Sequence, residues 1–154
     1  MKAQTVFSSP LGMLEITAEA GALVSILFVS SSTHPTPPTP PSTPLLSKAK
    51  KEMEEYFRGE RSSFTLPLSP KGTPFQKKVW EITSTIGYGE TKSYGEIAEI
   101  MGSKAYRAIG SALGANPLPI VIPCHRVKAK ASIGGYSGGL DKKRILLSIE
   151  GIKA

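Results

Sequence analysis

The only cysteine of this chain lies in "VIPCHRV", residues 121–127, with His125 directly after it. A lone cysteine can pack, bind a metal or act as a nucleophile. A free thiol has a pKa of about 8.5, so only a few per cent is thiolate at neutral pH unless a base assists. His125 is the nearest base candidate. Side chains adjacent in sequence rarely point the same way, so a direct Cys124–His125 pair requires a kinked backbone, or else a bridging water. One cysteine and two histidines are too few soft ligands for a structural zinc site, so no metal is expected. Taken alone, a cysteine after an aliphatic run is more often a packed core thiol.

Two further stretches carry chemical potential. "IGGYSGG", residues 133–139, sets four glycines around Tyr136 and Ser137. Such a loop lets backbone amides approach a ligand closely, although an ordinary turn has the same composition. "LDKKRILLSIEG", residues 140–151, reads as a last helix capped by Asp141, with Leu140, Ile145, Leu146 and Ile149 turned inward. Glu150 ends it, where a negative charge opposes the helix dipole. A partner such as His125 would explain the glutamate; an exposed terminal residue would too.

These residues need elements to place them. Leu118 to Pro123 is apolar and reads as a buried segment leading to Cys124. Before it, "SYGEIAEIMGSKAYRAIGSALGANP" reads as helix, turn, helix. Ser93 and Glu96 form a capping box on the first helix, and Gly102-Ser103 make the turn. The second helix, about Lys104 to Leu113, turns Ile109 and Leu113 inward and offers Ala105, Arg107, Ala108, Ser111 and Ala112 on its other face. Small residues let a helix approach a surface closely. Upstream, Phe75, Val79, Ile82 and Ile86 mark another amphipathic helix, with Pro74 in its first turn.

The first half has a different character. "KAQTVFSS", "GMLEITAE" and "ALVSILFVS" read as strands of a meander. Residues 30–44 hold six of the thirteen prolines and read as a tether, with His34 solvated. From Leu45, the spacing of Leu46, Ala49, Met53 and Tyr56 predicts a helix that Gly59 stops. "SSFTLPLSPKGTP" is the connector and domain boundary. The fold class is therefore α+β: a small antiparallel-sheet domain with one helix over residues 1–70, then a mostly helical domain with a helix-turn-helix over 71–154.

The net charge of +7 is uneven. Residues 1–70 carry six basic and six acidic side chains, whereas 71–154 carry thirteen and six. A neutral half joined to a basic half favours a polyanionic partner for the second, nucleic acid first. No apolar run approaches the roughly 20 residues of a membrane span, and no secretory signal opens the chain. A single cysteine suits a reducing cytoplasm.

In this order, "TPFQKKVW", "SYGEIA", "RAIGSALGANP", "IVIPCHRV" and "GGYSGGLDKKRILLSIEG" resemble the methylated-DNA–protein-cysteine methyltransferases, the O6-alkylguanine-DNA alkyltransferases. The match runs over residues 73–151; the first half is similar only in architecture. The resemblance implies that Cys124 accepts an alkyl group from guanine O6, with O4-alkylthymine a further substrate. It makes His125 the base acting through a water, with Glu150 orienting it. Tyr94 would donate to guanine N3, amides near Tyr136 and Ser137 would serve O6, and carbonyls of Cys124 and Val127 would accept from the guanine amino group. Asn116 would fix the turn before the cysteine. The nucleotide must be flipped out of the duplex, with Arg107 filling its space and the small-residue face in the minor groove. The implied enzyme is a monomer that acts once and needs no cofactor, because the lesion donates the alkyl group.

Three departures from the family pattern stand out: the turn "MGSKAYR" and the connection "RVKAKASIGG" are each one residue short, and Tyr106 occupies a position usually small. Three other readings compete. A binding-only alkyl-lesion protein would lack Cys124. A helix-turn-helix regulator leaves "PCHRV" and Glu150 without a purpose. A cysteine hydrolase would draw its histidine from a distant segment and has no use for a basic half.

Overall fold

The computed structural model describes residues 2–29, 40–129, 134, 136 and 139–152. The chain divides into two compact units, Met1–Pro70 and Lys71–Ala154.

In the first unit, β1 (Lys2–Ser9), β2 (Gly12–Glu19) and β3 (Ala22–Val29) form an antiparallel meander in that order. Ala20 and Gly21 join β2 to β3 with φ of 53° and 80°, the left-handed pair that a tight hairpin turn requires. Helix α1 (Pro44–Phe57) starts at Thr43, whose hydroxyl accepts from the Leu46 amide, and covers β1 and β2 with buried Leu46, Ala49, Met53 and Tyr56. The same helix buries Glu52, which accepts from the Thr65 amide at 2.9 Å and its hydroxyl at 2.6 Å. That pair ties the connector to the helix. The connector then pairs with β3 through Leu23 and Leu68.

The second unit is mostly helical. Helix α2 (Pro74–Thr83) opens with a capping box between Thr73 and Gln76. Helix α3 (Tyr94–Met101) opens with the Ser93–Glu96 box and closes on Gly102 at φ 65°. Helix α4 (Tyr106–Gly114) begins two residues later than the spacing predicts, with Ala105 as its cap residue. Trp80 Nε1 donates to the Ala112 carbonyl at 2.7 Å, joining α2 to α4 across the core. Helix α5 (Leu140–Ile149) completes the unit.

Two short strands matter most for the site. β4 (Lys92–Ser93) pairs in parallel with β5 (Val127–Lys128), aligning Lys92 with Val127. This places Tyr94, the first residue of α3, beside the chain as it leaves Cys124. No helix among the described residues is long and apolar enough to cross a membrane.

Candidate active site

Cys124 opens a 3-10 turn, Cys124–Arg126, that follows the buried run Leu118, Ile120 and Ile122. Ile120 holds φ at 76°, rare for a β-branched residue, and its burial keeps it there. Asn116 fixes this reversal from inside: its Nδ2 donates to the Ile122 carbonyl and its Oδ1 accepts from the Leu118 amide, both at 2.9 Å. The 3-10 turn also separates neighbours, because three residues per turn set successive side chains about 120° apart. Cys124 and His125 therefore face different partners.

Cys124 is 6% exposed, and the polar groups of Asn116 and Tyr136 lie near enough to its thiol to favour the charged form. Burial pushes the thiol pKa up, against the pull of these groups and of Lys143. An unaided Cys124 is thus a poor thiolate, and nucleophilic use requires a base. Tyr136 enters with its hydroxyl as well as its backbone, more than the sequence reading gave it. Burial, with the neighbouring thiol, also raises the pKa of this phenol.

His125 is fully buried, and its Nε2 lies 2.6 Å from Glu150 Oε2. Burial lowers the imidazole pKa; Glu150 opposes this, while Arg126 and Lys143 add to it. Glu150 is the residue just past α5, where the chain turns inward, so its carboxylate is buried rather than splayed at an exposed helix end. Its other contacts come from residues the sequence reading passed over. Arg126 Nε donates to Oε1 at 2.8 Å and Nη2 to Oε2 at 3.0 Å, and the Gly89 amide donates to Oε1 at 3.1 Å. Three donors, two of them from one guanidinium, favour the charged form of the carboxylate, and a proton on His125 Nε2 suits it as a fourth.

Lys143 is the second residue missed. It is fully buried on α5, and its Nζ donates to the Val127 carbonyl at 2.7 Å. Burial pushes its pKa down to about 8. That carbonyl keeps a second lone pair for another donor. A signal for Lys143 existed: it stands seven residues before Glu150, on the same helical face.

That face corrects the reading of α5. Leu146 and Leu147 pack inward with Lys143, whereas Leu140 and Ile145 are exposed. Two charged residues share the inward stripe, so a search for apolar periodicity wrongly placed Leu140 and Ile145 there, while Leu146 is buried as expected and Ile149 half-buried. Asp141 is not the cap either: Gly139 holds that position, without a side-chain bond, and Asp141 sits exposed in the first turn.

Tyr94 is half-buried against the core, and Gly134 closes over it. A Cβ at Gly134 would lie 3.1 Å from the Tyr94 hydroxyl and 3.1 Å from the Ala129 amide nitrogen. On α4, Ala105, Arg107, Ala108 and Ser111 are exposed. Ala112 is not, at 1% exposure beneath the helix: it lies three residues after Ile109, and its carbonyl faces Trp80. Tyr106, 54% exposed, stands on the outer side beside Arg107. Ser137 lies outside the described residues, as do His34 and most of the Pro-rich stretch. Among the described residues, no group of three or more His, Cys, Asp or Glu could hold a metal ion.

Comparison with known proteins adds identity to this geometry. Residues 74–152 match the family described as 6-O-methylguanine DNA methyltransferase, DNA binding domain, and residues 3–70 match its ribonuclease-like domain. A methylated-DNA–protein-cysteine methyltransferase of Haemophilus influenzae is 40% identical over 153 residues, covering 96% of this chain and 86% of that one. The constitutive enzyme of that name from Bacillus subtilis is 54% identical over 110 residues, covering 70% and 67%. The crystal structure of Mycobacterium tuberculosis OGT in complex with DNA superposes with a TM-score of 0.84 at 40% identity, covering 97% of this chain and 94% of that one. Both halves match in order, and the second carries a buried lone thiol directly before an imidazole that is paired with a buried carboxylate: the chain belongs to the 6-O-methylguanine DNA methyltransferase family.

Proposed function

We propose that this protein repairs DNA by direct reversal, moving the alkyl group of O6-alkylguanine, and of O4-alkylthymine, irreversibly to Cys124. The observation that carries this reading is the 2.6 Å contact of His125 Nε2 with Glu150, which Arg126 also grips, one residue from a buried thiol that needs a base. His125 takes the thiol proton through a water, since the 3-10 turn directs the two side chains apart. The thiolate sulfur then attacks the alkyl carbon, the S–C bond forms, and the C–O6 bond breaks. The electron pair leaves on the guanine, where a proton from Tyr94 at N3 neutralises it, and the proton taken up by His125 is released to solvent as Tyr94 regains one. Carbonyls of Cys124 and Val127 hold the guanine amino group, and amides around Tyr136 and Ser137 serve O6. The thioether has no route back to a thiol, so each molecule reacts once and needs no cofactor.

The exposed face of α4 supports binding of duplex DNA through the minor groove. Ala105, Ala108 and Ser111 permit close approach, and Arg107 replaces the nucleotide flipped out of the stack. Ala112 supports the helix from below. The protein acts as a monomer in the cytoplasm, where reducing conditions keep Cys124 a thiol.

The test is mass measurement after incubation with duplex carrying O6-methylguanine. A single methyl adduct on the peptide containing Cys124, in a one-to-one ratio with repaired lesion, is expected. Intact lesion with unmodified protein would overturn the transfer; many lesions repaired per protein would overturn the single use.

A further inference from the structure

The reading of His125 as base leaves Arg126 without a task, yet Arg126 is the best-tethered side chain of the site. It is 7% exposed, and all three of its side-chain nitrogens are engaged. Nε and Nη2 grip Glu150, and Nη1 donates to the Ile86 carbonyl at 2.7 Å. Its guanidinium carbon lies 5.8 Å from the centre of the Tyr88 ring, whose hydroxyl donates to the Ile149 carbonyl at 3.1 Å, next to Glu150.

A carboxylate alone beside a buried imidazole favours the imidazolium, and an imidazole already protonated cannot accept a proton from a thiol. A full positive charge on the same carboxylate offsets that effect. A bidentate guanidinium also fixes the carboxylate plane, which Lys could not do. We propose that Arg126 is a positioning residue for alkyl transfer: it holds Glu150 turned to His125 and balances its charge, so that the imidazole rests neutral with its proton on Nε2. The lone pair is then on Nδ1, ready for the thiol proton. This rests on the reading of His125 as base.

The charged surroundings agree with it. Among the described groups that act on His125, Glu150 favours imidazolium; Arg126 and Lys143 disfavour it, and burial holds Cys124 and Tyr136 toward their neutral forms. On the elements packed against the turn, Lys77, Lys78 and Glu81 of α2 and Asp141 and Arg144 of α5 are exposed, and Lys142 is half-buried.

The test uses the full chain with Arg126→Met and Arg126→Lys, measuring single-turnover transfer from free O6-benzylguanine across pH 5–10. Nitrogen-15 spectra of the His125 ring are recorded alongside, in a His34→Gln background. The parent ring should be neutral, with Nε2–H, through neutral pH. In Arg126→Met the ring should titrate at higher pH, and transfer should fall about tenfold per pH unit below that point, recovering toward the parent in alkali. Arg126→Lys should keep the parent pH profile at a reduced rate. A loss of equal size at every pH in both variants would overturn the proposal. So would a parent ring protonated at neutral pH, a measurement that decides the matter even if Arg126→Met does not fold. His125→Gln separates the two readings: undiminished transfer there overturns the base, whereas transfer lost with His125 and a profile unmoved in Arg126→Met overturns only the role of Arg126.

Discussion

Lys143 Nζ donates at 2.7 Å, from a fully buried position, to the carbonyl of Val127, the third residue after Cys124. Burial disfavours its charged form and brings its pKa down to about 8, far below an exposed lysine. Between pH 8 and about 10.4 the unfolded chain therefore binds a proton here that the folded chain does not. Stability should rise with pH across that window through this group. Cys124 acts in the opposite sense, since its raised pKa makes the folded state hold its proton longer. Denaturant unfolding of Cys124→Ser, with and without Lys143→Met, isolates the lysine. The Lys143-containing protein should gain stability relative to Lys143→Met as pH rises from 8 to 10; a constant difference would refute the buried, neutralising amine.

Glu150→Gln should damage stability and chemistry together. The substitution leaves Arg126 buried with its charge uncompensated, which costs on the order of 3–5 kcal/mol. It also removes the anion that fixes the His125 tautomer. Transfer should fall by roughly 10²–10⁴-fold, the usual range for general base catalysis. Chemical denaturation and single-turnover assays read the two effects. Full activity in a folded Glu150→Gln protein would remove the carboxylate from the mechanism.

How much of this arrangement the sequence discloses depends on which force sets each part. The meander, α1 and the helix-turn-helix follow from local signals: Thr43, Ser93 with Glu96, and Gly102 act within a few residues of where they stand. For Cys124 and Glu150 the residue types alone leave a packed thiol and an exposed terminal glutamate open, and only the resemblance of the ordered motifs joins them with His125. Arg126 and Lys143 are not legible, because Arg and Lys are usually solvated, and only the tertiary structure shows a carboxylate and a carbonyl waiting for them. The same blindness turns Leu140 and Ile145 of α5 inward, since the true inward stripe includes Lys143. Ala112 fails for a simpler reason: a small residue suits a close DNA approach and a tight core contact equally well, and Trp80 decides between them.

Gly134→Ala should act through Tyr94. Gly134 has φ at 75°, where a side chain costs about 1–2 kcal/mol, and its Cβ would press on the Tyr94 hydroxyl and the Ala129 amide. Displacing Tyr94 withdraws the donor proposed for guanine N3, so transfer should slow even where the protein stays folded. In a Tyr94→Phe background the hydroxyl is gone and the same substitution should cost less. A double-mutant cycle on transfer rate measures that coupling; strict additivity would show that Gly134 does not act through Tyr94.

Arg107→Ala tests the exposed face of α4. Arg107 and Tyr106 are both exposed there, while Ile109, Ala112 and Leu113 hold the helix from beneath. Losing the arginine should leave the fold and the thiol untouched, because nothing in the buried cluster depends on it. Repair of O6-methylguanine in duplex DNA should drop by at least tenfold, since the vacated stack then has no occupant. Reaction with free O6-benzylguanine, which needs no flipping, should change by less than about twofold, as expected for a surface substitution remote from the chemistry. Equal losses on both substrates would remove the flipping role from Arg107. A loss confined to duplex that Tyr106→Ala reproduces would assign part of the wedge to the tyrosine beside it.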